Sequence, residues 1–597
     1  MNDGLTTYKR ILNSTRALVL VIAAFAFLLY FNALFGGFID DDHTLILGNE
    51  WLRDFANLPS IFFSGVWSFE EGHGATNYYR PVYSLLYMVD YALFGYKAWG
   101  WHLINIILHM LNSVMVFYVA RELLGKNSDG DVANGNLLAF IAALIFVAHP
   151  IHTEVVAWIS PIGELSFTLA FLVSFYFYIL ARDADKSENF KRNYAISIAA
   201  FFIGTLSKET ALTLLILLPV YDLIMREQKK PWLIKAVKLY LPFYAVTIIY
   251  FFLRTSALGG LTPKEGMHPY LSGFQYFINI FPLLFDYFKA LVWPAGLSSF
   301  HPFNPVYSVG DGRFIVSAIV LGIILIGGVL LRKRSRLYPL SLAIVIIPLL
   351  VVLYVPVLDR NTFAERYLYL SVLGFALFLV LGARHLLLKR PELGKLVTVF
   401  FAVLLIVYSA ATVRRTFEWR DDFTLWKATI EKQPENYFIL SRLARMYFER
   451  GDVGTATKLL ERSIAANLKR TTPDPRVLGF SLMGLGDFYR IQKEPAKALA
   501  TYMRFMEIAP GRGDINLKIA DLYLNSGETK KAIAFYSDAL RYAASAEEAV
   551  LSFRGLGRAY GAAGEREKAV RSFREALKIS PGDEPSINAL KQLENKN

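Results

Sequence analysis

Apolar runs separated by short polar connectors fill the first two thirds of the chain, and then the pattern changes its period. The runs fall at 15–35, 99–120, 137–150, 161–181, 194–206, 210–225, 237–253, 313–331, 338–357, 367–388 and 396–413. A helix crosses a bilayer in roughly 17 to 25 residues, so these runs predict about eleven spans. Those at 137–150 and 194–206 are short, which predicts ends that lie in protein or at a wet cavity. A further run, "FQYFINIFPLLFDYFKALVW" at 274–293, carries Asp286 and Lys289 and reads as an interfacial or re-entrant helix. The first run is too long for a removable signal peptide and reads as an anchor.

From about Glu435 the chain becomes charged and repeats itself. "LARMY" (Leu443–Tyr447), "LGDFY" (Leu485–Tyr489), "IADLY" (Ile519–Tyr523) and "LGRAY" (Leu556–Tyr560) recur at intervals of about 34 to 42 residues, the range of helical solenoid repeats. Each is followed by a turn and a second helix with small and aromatic residues at fixed offsets, as in Ala532, Tyr536 and Ala539. This is the tetratricopeptide pattern, and four units exceed the three or so that a solenoid needs to bury a continuous core. The first unit has Leu460 where the aromatic belongs. The fold expected is therefore all-α: a polytopic membrane helical bundle over 1–413, a neck over 414–434 and a repeat solenoid over 435–597. The neck, "RRTFEWRDDFTLW", reads as a membrane exit with Trp419 and Trp426 at the interface and Asp421 and Asp422 in water.

Composition agrees with the membrane reading. Of the 597 residues 54% are hydrophobic and only 19% charged, which leaves much of the chain with lipid as its solvent. The absence of cysteine excludes disulfides, thiolate metal sites and cysteine nucleophiles. The net charge of +13 would suggest a nucleic-acid partner only if the basic residues formed one patch, and they do not. They sit instead in the tail (Lys9, Arg10, Arg16) and in connectors such as Lys186 to Arg192, Arg226 to Lys230, Arg332 to Arg336 and Arg384 to Arg390, which assigns those connectors to the cytoplasm.

Five charged clusters then fall on the opposite side, where a polar residue near lipid is costly unless paired or wet. They are "IDDDH" with Asp40, Asp41 and Asp42; "NYYRPVYS" with Arg80; "HPIHTE" with His149, His152 and Glu154; "SKET" with Lys208 and Glu209; and "FAERYLYL" with Glu365 and Arg366. Singly, each has a plain explanation as a solvated loop, a structural histidine or a snorkelling anchor. Together they outline a polar cavity at the membrane surface. Arg80, Lys208 and Arg366 suit a phosphate at headgroup depth, the arginines as planar forks and the lysine as a point charge. The aspartates supply a base. If the phosphate carries a long lipid on one side and a sugar on the other, a deprotonated acceptor hydroxyl displaces it with inversion. His149, His152 and Glu154 are either a divalent metal site or hydrogen-bonded structural groups, with Pro150 against a regular helical site; no cofactor is otherwise called for.

The stretches "GFIDDDHTLILGNEWL", "YYRPVYSLLYMVDYALFGYKAWGWHLINIILHMLNSVMVFYVAREL", "HPIHTEVVAWISPIGELSF", "SKETALTLLILLPVYDL" and "FAERYLYLSVLGF", followed by the repeats, resemble the transmembrane and tetratricopeptide repeat O-mannosyltransferases, and are similar to bacterial members of that architecture within the GT-C glycosyltransferases. The resemblance implies a polyprenyl-phosphate sugar donor, mannose or another sugar, and transfer on the periplasmic or luminal side. It also implies a catalytic acid in the first external loop, matched here by Asp41 and then Asp42, with Asp40 standing where an aromatic is common. Arg80, Lys208 and Arg366 become candidate phosphate ligands, with Glu209, Glu365, His149, His152 and Glu154 in support. The acceptor implied is a protein or glycan hydroxyl, with the repeats holding an extended substrate. A Cys-free chain of this kind suggests a bacterial inner membrane, the N-terminus cytoplasmic and both cavity and repeats outside. The rival reading is a non-catalytic anchor that displays the repeats to an envelope or secretion complex.

Overall fold

The computed structural model describes residues 14–70, 78–125, 132–184, 188–225, 232–260, 268, 270–353, 362–470 and 472–594. Lys9, Arg10, Lys186, Arg226, Lys229 and Lys230, used above to orient the chain, lie outside them. The described residues are helical and contain no named strand, only an isolated bridge between His301 and Phe363. They divide into two compact units, Met1–Ala428 and Thr429–Asn597.

Among the described residues of the first unit seven helices are long and apolar enough to cross a membrane, and the pair Gly135–Ala148 and Pro150–Ala157, bent by 48°, makes an eighth if it is one broken span. Pro150 makes the bend, because it cannot donate the hydrogen bond a continuous helix requires there. Three of the eleven expected spans fall short. Glu188–Ser207 begins with charged residues, and Leu214–Met225 and Leu337–Ile346 have 12 and 10 residues. The run expected at the interface is a one-sided helix, Gly273–Val292, started by a Ser272–Gln275 capping box.

Ile162–Asp183 sits at the centre, with 72% of its apolar window buried against 11% for Val237–Leu258 at the periphery. Small residues let its neighbour Glu188–Ser207 approach, since a Cβ on Gly204 would touch those of Ala211 and Ala170 at 3.2 and 3.4 Å. Ser174 and Ser197 then each donate a hydroxyl to the other's backbone carbonyl, both at 2.7 Å. Such reciprocal bonds matter where apolar burial gives helices no preference for one another over lipid. The fixed register of this pair matters because Glu164 begins one helix and Lys208 follows the other.

In the second unit, paired helices repeat from Tyr437–Glu449 and Val453–Leu468 to Ala546–Ala562 and Arg566–Ile579, and Glu584–Glu594 follows. The repeat chemistry is literal. Tyr502 donates to Asp487 at 2.7 Å, and Tyr536, one repeat later, to Asp521 at 2.5 Å. Gly486 and Gly555 leave room for these rings, which a Cβ would strike. Leu460, in the aromatic's place in the first unit, packs under Gly484.

Candidate functional site

Adjacent residues in the polar turns face different ways, and that alternation builds the site. At the third cluster, His149 Nε2 meets the Leu291 carbonyl at 3.0 Å, its Nδ1 accepts from the Ile151 amide at 3.3 Å, and His152 Nε2 meets the Tyr369 carbonyl at 3.3 Å. Both rings are fully buried. They tie the turn to neighbouring helices, and Glu154 projects from it to Arg366, 2.5 Å from Nη1 and 3.0 Å from the backbone amide. At the fifth cluster Glu365 turns inward, accepting from the Ser298 amide at 2.6 Å and lying 2.6 Å from Arg415 and 3.1 Å from His301. Anchored in this way, it leaves Arg366 on the other side of the turn.

The fourth cluster behaves alike. Lys208 pairs with Glu164, both side chains being 5% exposed, while Glu209 takes the Arg80 guanidinium in a fork, 3.0 Å to Nε and 2.5 Å to Nη2. Burial raises the Glu209 carboxyl, but the attraction of Arg80, the fork and nearby Lys208 outweigh it and hold its pKa at about 2. Burial lowers the Lys208 ammonium, offset in part by Glu164. Burial also lowers Arg366, but Tyr367 and Glu154 overcome it and hold its pKa well above the usual arginine range. Aromatic faces brace the cations: Arg80 lies 4.5 Å from the Tyr78 ring centre, and Lys208 and Arg366 lie 4.8 and 5.0 Å from that of Tyr367.

In the first loop the aspartates diverge. Asp42 is fully buried and accepts from the Ile39 amide at 3.0 Å, the Ser160 amide at 2.9 Å and the Ser160 hydroxyl. Burial raises it well above the usual carboxylate range despite those bonds. Asp41, half-buried, lines a cavity of about 530 Å³ together with Arg80, Lys208, Glu209 and Arg366, a size usual for small-ligand sites. Glu164, Trp67, Trp158, Tyr78, Tyr83, Tyr250 and Arg254 complete much of its wall.

Five residues singled out in the sequence therefore share one cavity, while Asp42, Glu154, Glu365, His149 and His152 stand outside its lining. Among the described residues no group of three or more His, Asp or Glu side chains is arranged to hold a metal ion, and the two histidines and Glu154 are engaged elsewhere, as above. Glu164 and Arg254 are additions that sequence reading missed. Glu164 resembles an ordinary acid in a helix's first turn, and Arg254 resembles a snorkelling residue near the end of an apolar helix.

A tetratricopeptide repeat family model matches residues 517–584. Protein O-mannosyl-transferase TMTC3 of Mus musculus is 23% identical over 525 residues, which cover 81% of this chain and 54% of that protein. Protein O-mannosyl-transferase F38B6.6 of Caenorhabditis elegans is 24% identical over 74% of this chain and 61% of its own, and Tmtc2 of Drosophila melanogaster is 31% identical over 34% and 21%. The chain spans about half the length of the TMTC3 relative. Through both its membrane helices and its repeats, the chain resembles the transmembrane and tetratricopeptide repeat protein O-mannosyl-transferases.

Proposed function

We propose that the chain is a membrane glycosyltransferase that moves a sugar, mannose by analogy with its relatives' names, from a polyprenyl phosphate to a protein Ser or Thr hydroxyl. The observation that carries this reading is the gathering of Asp41, Arg80, Lys208 and Arg366, far apart in sequence, around one cavity. Asp41 accepts the proton of the acceptor hydroxyl. The oxygen attacks the anomeric carbon as the bond to the phosphate oxygen breaks, and the phosphate leaves with the bonding pair as an anion needing no proton. A single in-line displacement inverts the anomeric centre, and carboxylates nearby favour its oxocarbenium character.

Arg80, Lys208 and Arg366 receive the phosphate. Their carboxylate partners Glu209, Glu164 and Glu154 hold them in place beforehand, so little reorganisation accompanies the reaction. Arg254 adds a cation to the same wall. Aromatic faces supply apolar platforms for a sugar ring. Asp42 acts by holding the loop rather than by touching substrate, and Glu365, His149 and His152 hold the turns that present Glu154 and Arg366. In this reading the membrane is the bacterial inner membrane, the N-terminus is cytoplasmic, the cavity and repeats face the periplasm, and the repeats retain the acceptor near the cavity.

The test is purified protein incubated with labelled polyprenyl-phosphate sugars and Ser/Thr peptides, with and without chelator. Transfer of label with inverted anomeric configuration supports the reading, and absence of transfer from every such donor defeats it.

A further inference from the structure

The segment after the last span reads in sequence as a passive neck, yet in the structure it grips the loop that carries Asp41. Its tandem aspartates divide the work. Asp421 Oδ1 accepts from the Thr424 amide and hydroxyl, both at 2.9 Å, and so caps the helix Asp422–Lys432. Asp422, at the first helical position, points instead at the loop. Its Oδ1 accepts from the Asp40 amide at 2.8 Å and its Oδ2 lies 2.6 Å from His43 Nε2.

Two further contacts reinforce the grip. The Gly37 amide donates to the Arg420 carbonyl at 2.9 Å. Trp419, only 3% exposed, stacks on Trp158 with ring centres 5.7 Å apart, and the Trp158 indole donates to the Ile39 carbonyl at 3.3 Å. Trp158 itself lines the cavity. The loop is thus held at Gly37, Ile39 and Asp40 before Asp41, and at His43 after it.

The loop needs holding at Asp40, whose φ of 49° lies in the left-handed region. A residue with a Cβ adopts that conformation only at a cost, smaller for an aspartate than for most. The turn there separates its successors, Asp42 going inward to Ser160 and Asp41 to the cavity. A bare surface pair between His43 and Asp422 would contribute little; the bond to the Asp40 amide at the strained turn is what gives the contact a consequence.

We propose that Asp422 is a positioning residue for sugar transfer, its carboxylate fixing the strained turn at Asp40 so that Asp41 faces the cavity. The proposal rests on the reading of Asp41 as the base. Asp422 touches neither the cavity nor the three cations, so its loss should lower turnover without weakening the donor's hold.

The experiment uses the full chain in nanodiscs with polyprenyl-phosphate mannose and a Ser/Thr peptide. Asp422→Ala removes the acceptor for the Asp40 amide, whereas Asp422→Asn keeps a carbonyl oxygen there and loses only the charge toward His43. Expected for Asp422→Ala is a fall in kcat of about 10- to 100-fold, as for a misplacement of about an ångström, with KM for the donor within about twofold; Asp422→Asn should recover most of the loss. Amide hydrogen exchange at 37–42 should quicken in Asp422→Ala and stay slow in Asp422→Asn. A wild-type kcat in Asp422→Ala, with Asp41→Asn inactive, overturns the positioning role and leaves the catalytic reading standing. If Asp41→Asn transfers sugar normally, the catalytic reading fails, and exchange decides alone: quickening at 37–42 retains Asp422 as the loop's holder, and unchanged exchange removes it. If Asp422→Ala does not fold, an Asp422→Asn protein whose kcat falls about 10- to 100-fold overturns the proposed bond, and a near-wild-type kcat with slow exchange supports it.

Discussion

The cavity and the histidine turn are both dense with polar side chains, and both were visible in the sequence as clusters that do not belong in lipid. They differ in what their partners are. In the cavity wall, Arg80, Lys208 and Arg366 pair directly with carboxylates and still border an open volume of about 530 Å³. At the turn, His149 and His152 are fully buried outside the cavity's lining and meet backbone carbonyls, packed against Tyr408 and Tyr369 at ring-centre distances of 4.8 and 4.4 Å. The contrast teaches that polarity beside lipid is a necessary sign of a site but does not make one. A site also keeps room beside its charges, whereas a structural network consumes that room. Asp222 makes the same point elsewhere in the bundle, its oxygens taken by Tyr178, Tyr240 and Arg182.

The contrast can be broken by mutation, because each region should fail in its own way. Truncation of the buried Glu154 to Ala leaves the half-buried Arg366 without its carboxylate and should cost about 3 kcal/mol, the low end for a broken buried pair, read as a lowered melting temperature in detergent. His149→Ala orphans the Leu291 carbonyl and the Ile151 amide, at about 1–3 kcal/mol for each buried group. It should lower the melting temperature while reducing the turnover of the folded fraction far less than a change at Arg366 does. Arg366→Lys keeps the charge but loses the fork, and should reduce kcat/KM about 10- to 100-fold with melting little changed, the reverse of the histidine result. The smallest effect is an acid limb. Because Glu209 is depressed from 4.5 to about 2, its stabilising contribution is complete above about pH 4.5 and drains away as pH falls toward 2. The melting-temperature gap between wild type and Glu209→Gln should narrow over that range.

Much of the cavity was legible because its residues sit at the ends of apolar runs, where charge is conspicuous. Asp41, Arg80, Lys208 and Arg366 could be named from that pattern. The pairings could not. Nothing local in "SKET" says that Lys208 meets Glu164 while its neighbour meets Arg80, since that depends on how the helix around Gly204 settles against its partner. The neck was misjudged for a related reason. Trp419 and Trp426 read as interfacial anchors, but both are buried in protein, and Asp422 read as solvated although it reaches the first external loop. The repeats, by contrast, were plain in the sequence because the units restate the same local contacts, two of them down to the Tyr–Asp bond.

Asp41, as the group that takes the acceptor's proton in a cavity whose cations hold the phosphate, is the centre of the proposed reaction. The most direct measurement is single-turnover transfer from labelled polyprenyl-phosphate mannose, with donor affinity measured alongside, in wild type and Asp41→Asn. Asp41→Asn should lower the rate by about 10²- to 10⁴-fold, with donor affinity and melting temperature unchanged. A variant that transfers sugar at the wild-type rate would contradict it.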